Sequence, residues 1–231
     1  MSDKSVLLIG ATGLVGQECL KLLLTDDYFG RIVVLTRKPL DPKFQDVRLQ
    51  NYIINFDKIT SYKEYFNVTH VISALGTTIK KAGSRENFLK IDMHYTLDAA
   101  KTAFKCHASH FLLVSALGAD STSRVFYNRV KGELEDRLRA IGFDSLSIFR
   151  PSLLLGKREE FRLGEEVGKV MSGIFSFAVP EKYKPVEASD LASAIVKTAK
   201  HESIGLKIIE SDEIRLIARS GYDLDKEMDY P

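Results

Sequence analysis

Short apolar runs recur along the chain, and between them apolar residues return every three or four positions. Val6-Leu7-Leu8-Ile9 is the first run, of strand length, and Gln17 to Leu24 the first helical stretch. Ile32 to Thr36 reads as a second strand, Tyr52 to Phe56 as a third, His70 to Leu75 as a fourth. His110 to Ser115, Ser145 to Phe149 and Leu206 to Glu210 complete the set. Helical periodicity runs through Ser61 to Phe66, Asn87 to Phe104, Arg124 to Ile141 and Ser189 to Ala199, with Ser189 placed to cap the last. Buried-looking strands alternating with helices predict an α/β fold, a doubly wound parallel sheet of the Rossmann type with helices on both faces. Gly156 to Tyr183 breaks the pattern: it is rich in charge and glycine and has no clear strand. Residues 156–184 read either as a lid or small substrate-side lobe, or as a surface helix with long connections. The 231 residues read as one domain.

The first strand runs straight into Gly10-Ala11-Thr12-Gly13-Leu14-Val15-Gly16 and then into a helix. Strand, glycine-rich turn and helix make the phosphate end of a dinucleotide site. Glycine lets the backbone approach a pyrophosphate, and the helix N-terminus offers free N–H groups and a positive dipole end. The second strand ends Thr36-Arg37-Lys38, with no acidic residue to bind a free ribose 2′-hydroxyl. Two basic side chains there suit a 2′-phosphate, so NADP(H) is the expected cofactor. Asp57, after the third strand, is placed to accept from an adenine amino group, and Leu75-Gly76 to pass close to the cofactor after the fourth.

Tyr127 and Lys131 are four residues apart on a predicted helix, hence on one face. An ammonium beside a phenol favours phenolate, and the pair can move a proton. The glycine turn with this pair resembles the short-chain dehydrogenase/reductases, its spacing closer to the extended and atypical branches. Leu75-Gly76-Thr77-Thr78, Lys81-Ala82-Gly83, Ser115 with Gly118-Ala119-Asp120, Val130-Lys131-Gly132-Glu133 and Phe149-Arg150-Pro151 resemble, more narrowly, the Tat-interacting protein family of atypical members. The likeness runs from about Val6 to Gly164.

The resemblance implies that Thr12, Gly13, Leu14 and Val15 touch the pyrophosphate, and that Arg37 and Lys38 meet the 2′-phosphate. It implies that Leu75 and Gly76 lie along the cofactor and that Arg150-Pro151 lines its nicotinamide end. Tyr127 is then the proton donor or acceptor, Lys131 holds the nicotinamide ribose, and Ser115 is the candidate catalytic serine. Enzymes of this family often use the second residue of a Ser-Ser pair; here the pair is Ser115-Ala116. A helix position that often carries asparagine is Asp92.

Composition narrows the partners. Thirty-three basic against 31 acidic side chains leave a formal charge of +2, which supplies no global field for nucleic acid or anionic membrane. Two cysteines, Cys19 and Cys106, cannot build a disulfide framework, and the opening apolar run is too short for a membrane span. A cytoplasmic protein acting on a small molecule is the default expectation, with a homodimer compatible. His107 and His110 lack a third nearby ligand and read as structural, so no metal is expected. Three functions fit: an NADP(H)-dependent oxidoreductase with a carbonyl or alcohol substrate, an NADPH-binding regulator or redox sensor, and a nucleotide-sugar epimerase or dehydratase.

Overall fold

A computed structural model describes residues 2–156, 180–201 and 203–219. Seven parallel strands form one sheet: β1 (Ser5–Ile9), β2 (Arg31–Thr36), β3 (Leu49–Ile53), β4 (His70–Ser73), β5 (His110–Val114), β6 (Ser145–Arg150) and β9 (Gly205–Glu210). Their order is β3-β2-β1-β4-β5-β6-β9, so the chain builds outward from β1 in both directions. The reversal falls between β1 and β4, where Leu7 is in register with Val33 on one side and Val71 on the other. The crevice above such a switch point is where open α/β sheets take ligands.

Strand residues alternate between two apolar cores, as the period of two requires. Val6, Leu8, Val34, Ile72 and Leu112 face α1 (Leu14–Thr25) and two later helices, Ala188–Lys200 and Ser211–Ala218. Leu7, Ile9, Val33, Val71, Phe111 and Leu113 face the opposite layer. That layer holds α2 (Ile79–Ala82), α3 (Arg85–Leu89), α4 (Tyr95–Lys105) and α5 (Phe126–Arg139); the two later helices are α6 and α7. The doubly wound parallel sheet predicted from the alternation is thus the fold.

Several boundaries differ from the sequence reading. The third strand is Leu49–Ile53, three residues earlier than expected, because it pairs from Leu49 against Ile32 of β2. Ser61 to Phe66 is short 3-10 turn rather than α-helix. Helix α6 starts at Ala188 with Glu187 as its cap residue, so Ser189 lies inside the first turn. A two-stranded parallel ribbon, β7 (Leu154–Leu155) with β8 (Val186–Glu187), was not foreseen; nor was α7, closed by a reciprocal Glu210–Glu213 capping box. The expected lid falls largely on 157–179, outside the described residues. No helix among the described residues is long and apolar enough to cross a membrane.

Candidate functional site

The turn after β1 is built by contacts that only glycine fits. Gly10 has φ of +87°, and a Cβ there would sit 2.5 Å from the Ala74 carbonyl. A Cβ on Gly16 would lie 2.1 Å from the Gly10 carbonyl oxygen, so α1 presses directly onto the turn. The Gly13 N–H donates to the Gly10 carbonyl at 2.9 Å. Gly13 then caps α1 with no side chain, and the first turn of α1 carries no acid. Its N–H groups are left to whatever binds above them, with no carboxylate to repel an anion.

Above this turn lies a cleft of about 300 Å³. It is lined by Gly10, Thr12 and Gly13 of the turn, by Leu35 and Thr36 of β2 with Arg37 just after it, and by Phe56, Ile91 and Tyr95. Lys81 of α2 also lines this cleft. A second cavity of about 370 Å³ adjoins it, the two sharing Ala74, Leu75, Gly76 and Thr77. Val15, Ser115, Ala116, Tyr127, Lys131, Pro151 and Tyr183 line this second half.

The expected residues therefore divide. Gly10, Thr12, Gly13, Val15, Arg37, Leu75, Gly76, Ser115, Tyr127, Lys131 and Pro151 line one or other of the two adjoining cavities. Lys38 is exposed and does not line it. Leu14 and Gly16 support the turn from within α1. The Asp57 carboxylate turns to other partners: Tyr95 Oη donates to it at 2.5 Å and Lys90 Nζ lies 2.6 Å away. Those two contacts, Lys90 foremost, hold its pKa below the usual range. Its neighbours Phe56 and Tyr95, rather than Asp57 itself, form the cleft wall.

Arg150 lies outside the lining of both cavities. It was expected along the cofactor, but its guanidinium grips Glu135 through Nε at 3.1 Å and Nη2 at 2.5 Å. Glu135, fully buried on α5 one turn beyond Lys131, also accepts from Ser115 Oγ at 2.5 Å. The serine hydroxyl, though Ser115 lines the cavity, thus donates to Glu135, and Ala116 beside it carries no hydroxyl. Tyr127 stands with its ring centroid 6.0 Å from Lys131 Nζ and packs on Phe88. Lys131 in turn meets Asp92, its Nζ 2.8 Å from Oδ1.

Sequence reading placed Lys81 only in a family motif, with no role at the cleft, and missed Glu135 and Tyr183. Lys81 had a usable signal, since it sits in a motif next to the Gly76-Thr77 turn. Glu135 had one too, at i+4 from Lys131 on the same helical face.

Residues 6–123 match the NAD dependent epimerase/dehydratase family. Protein HTATIP2 of Rattus norvegicus is 36% identical over 177 residues, covering 75% of this chain and 72% of that protein. Protein FMP52, mitochondrial, of Candida albicans is 32% identical over 85% of this chain and 88% of its own length. The corresponding protein of Meyerozyma guilliermondii is 33% identical over 95% and 93%. These fungal names overturn the expectation of a cytoplasmic protein, which had rested only on cysteine count and a short N-terminal apolar run. Among solved structures, MoeE5 in complex with UDP-glucose and NAD superimposes with a TM-score of 0.65 at 14% identity, covering 91% of this chain and 79% of that one. UDP-glucose 4-epimerase of Thermotoga maritima gives 0.65 at 15%, over 95% and 83%. At such identities the likeness is one of fold.

Proposed function

The chain belongs to the NAD dependent epimerase/dehydratase family, in the atypical short-chain dehydrogenase/reductase group with HTATIP2 and FMP52, and from that premise we propose that it is an NADP(H)-dependent oxidoreductase acting on a small carbonyl or alcohol. One observation carries the reading: two cavities that share Ala74, Leu75, Gly76 and Thr77 hold Arg37 and the glycine turn in the first and Tyr127 and Lys131 in the second. The residues present fit a dinucleotide. The Gly10–Gly16 contact leaves backbone where a pyrophosphate needs close approach, and Arg37 and Lys81 both line that cavity, whose lining among the described residues holds no acid.

In this reading Thr12, Gly13 and Val15 hold the pyrophosphate, Arg37 the 2′-phosphate, Leu75 and Gly76 the length of the cofactor. The nicotinamide, when bound, supplies or accepts the hydride. Tyr127 gives a proton to the substrate oxygen in reduction and takes it in oxidation; Lys131 supplies the positive charge that favours phenolate. Ser115 keeps Glu135 and the end of β5 in place, so carbonyl orientation falls to other polar groups at the cleft. Thr77 and Asn128 line the same cavity as Tyr127 and are the candidates.

A second reading, an NADPH-binding sensor, is favoured by Ala116 and by the engaged Ser115 hydroxyl. The UDP-sugars named with the structural neighbours belong to those proteins. Steady consumption of NADPH with a panel of aldehydes, ketones and quinones separates the readings. The reductase reading predicts turnover that falls by at least about a hundredfold in Tyr127→Phe. Tight binding of NADPH with no turnover on any of them would favour the sensor.

A further inference from the structure

Asp92 reaches the cleft through an irregularity in its helix. Lys90–His94 winds as one π-helical turn between α3 and α4. Such turns are rare and concentrate at functional sites. Asp92 within it is 1% exposed, and the Lys131 side chain facing it is 4% exposed. Oδ1 lies 2.8 Å from Lys131 Nζ off the hydrogen-bond direction, a charge contact more than a directed bond. Oδ2 accepts the Thr77 backbone N–H at 2.8 Å. One carboxylate thus ties α5 to the loop after β4, across the two walls of the Tyr127 cavity.

We propose that Asp92 is a positioning residue that keeps Lys131 an ammonium inside the cleft and fastens it to the Thr77 loop. A buried ion pair gains little over an apolar pair in stability, so stability alone does not account for this one. Its use is to hold a charge where burial by itself would expel it. The ionisable groups lining this cavity among the described residues are Asp92, Lys131, Tyr127 and Tyr183. Along α5, Glu133 is partly exposed and faces Arg137, and Glu135 is engaged by Arg150 and Ser115; Lys90, on the π turn, pairs with Asp57, and His94 is exposed. The lysine is available to a bound dinucleotide because Asp92 has already met the cost of its charge.

The test does not need the dinucleotide. Thermal unfolding of nucleotide-free protein is followed from about pH 6 to about pH 10 for wild type, Asp92→Asn and Asp92→Asn/Lys131→Met. In Asp92→Asn the native state disfavours the lysine proton while the unfolded state keeps it, so relative stability rises with pH. The deficit in Tm against wild type is therefore largest near neutrality and shrinks by at least about half toward pH 10. In the double variant the deficit no longer depends on pH. A deficit that is the same at every pH, as lost packing alone would give, overturns the proposal. If Asp92→Asn does not fold at neutral pH, the double variant must; failure of both also overturns it.

A second arm rests on the dinucleotide reading. Titration with NADPH at about pH 7 and about pH 9 should leave the wild-type Kd within about twofold and weaken that of Asp92→Asn by a further tenfold or so. A loss of affinity equal at both pH values contradicts the role of Asp92. Absence of NADPH binding in the wild type contradicts the dinucleotide reading instead, and the unfolding series then decides on Asp92 alone.

Discussion

His110 on β5 is buried against His70 and Ser147, its Nε2 2.9 Å from the Ser147 hydroxyl. Burial first, then the nearby His70, His201 and Lys207, pushes its pKa down from 6.5 to about 3. The ring enters the fold neutral. As pH falls below about 6.5 the unfolded chain takes up a proton that the native state refuses, and stability drops by about 1.4 kcal/mol per pH unit from this group until pH nears 3. Chemical denaturation at stepped pH should show His110→Gln with a shallower acid limb than wild type between those limits; parallel limbs would refute the assignment. The sequence marked His110 as structural, from the absence of neighbouring ligands, but its depth and its Ser147 partner are products of strand pairing. The same holds at the site. Tyr127 and Lys131 were legible because a helix brings i and i+4 together. The engagement of Ser115 and Arg150 by Glu135 was not, since β5, α5 and β6 meet only in three dimensions. Arg150 read as a ligand residue from its motif; a fully buried carboxylate claims it instead.

Among the elements, the join of β1 to α1 leaves the least room for change. The Gly16 contact is with backbone, which cannot swing aside as a flexible side chain would. Gly16→Ala should cost roughly 1–3 kcal/mol by overpacking, a fall in Tm of about 2–12 °C for a chain of this size, and should weaken dinucleotide binding more than tenfold as the turn shifts. Unaltered Tm and affinity would mean that the close approach is dispensable. This element was read from local signals: an apolar run, spaced glycines and an amphipathic stretch. The late elements were not. Strand β3 slid because its residues are only half-buried and their pattern is weak, leaving its register to β2. Helix α7 had its signal in Glu210, Glu213, Ile214 and Ile217, a capping box ahead of a short apolar face. At eight residues it is marginal by itself and forms by packing on α6 and the sheet.

At the scale of the molecule, the strand order sets where chemistry can happen. Reversal of direction between β1 and β4 opens the crevice, and every candidate ligand residue that lines the cleft comes from a strand end or from the loop or helix following it. The order of the strands came from the structure, but the doubly wound parallel sheet was legible from the strand–helix alternation. Cellular location was not: composition cannot report an address, and the mitochondrial names of fungal relatives overrode it. On the proposed function, this crevice is an NADP(H) site and Arg37 selects the phosphate. Calorimetric titration of wild type and Arg37→Ala with NADPH and NADH tests it most directly. The account predicts that wild type prefers NADPH by at least about tenfold and that Arg37→Ala loses most of that preference while its affinity for NADH changes little. Equal affinity of the wild type for both nucleotides, or an equal loss for both in the variant, would contradict it.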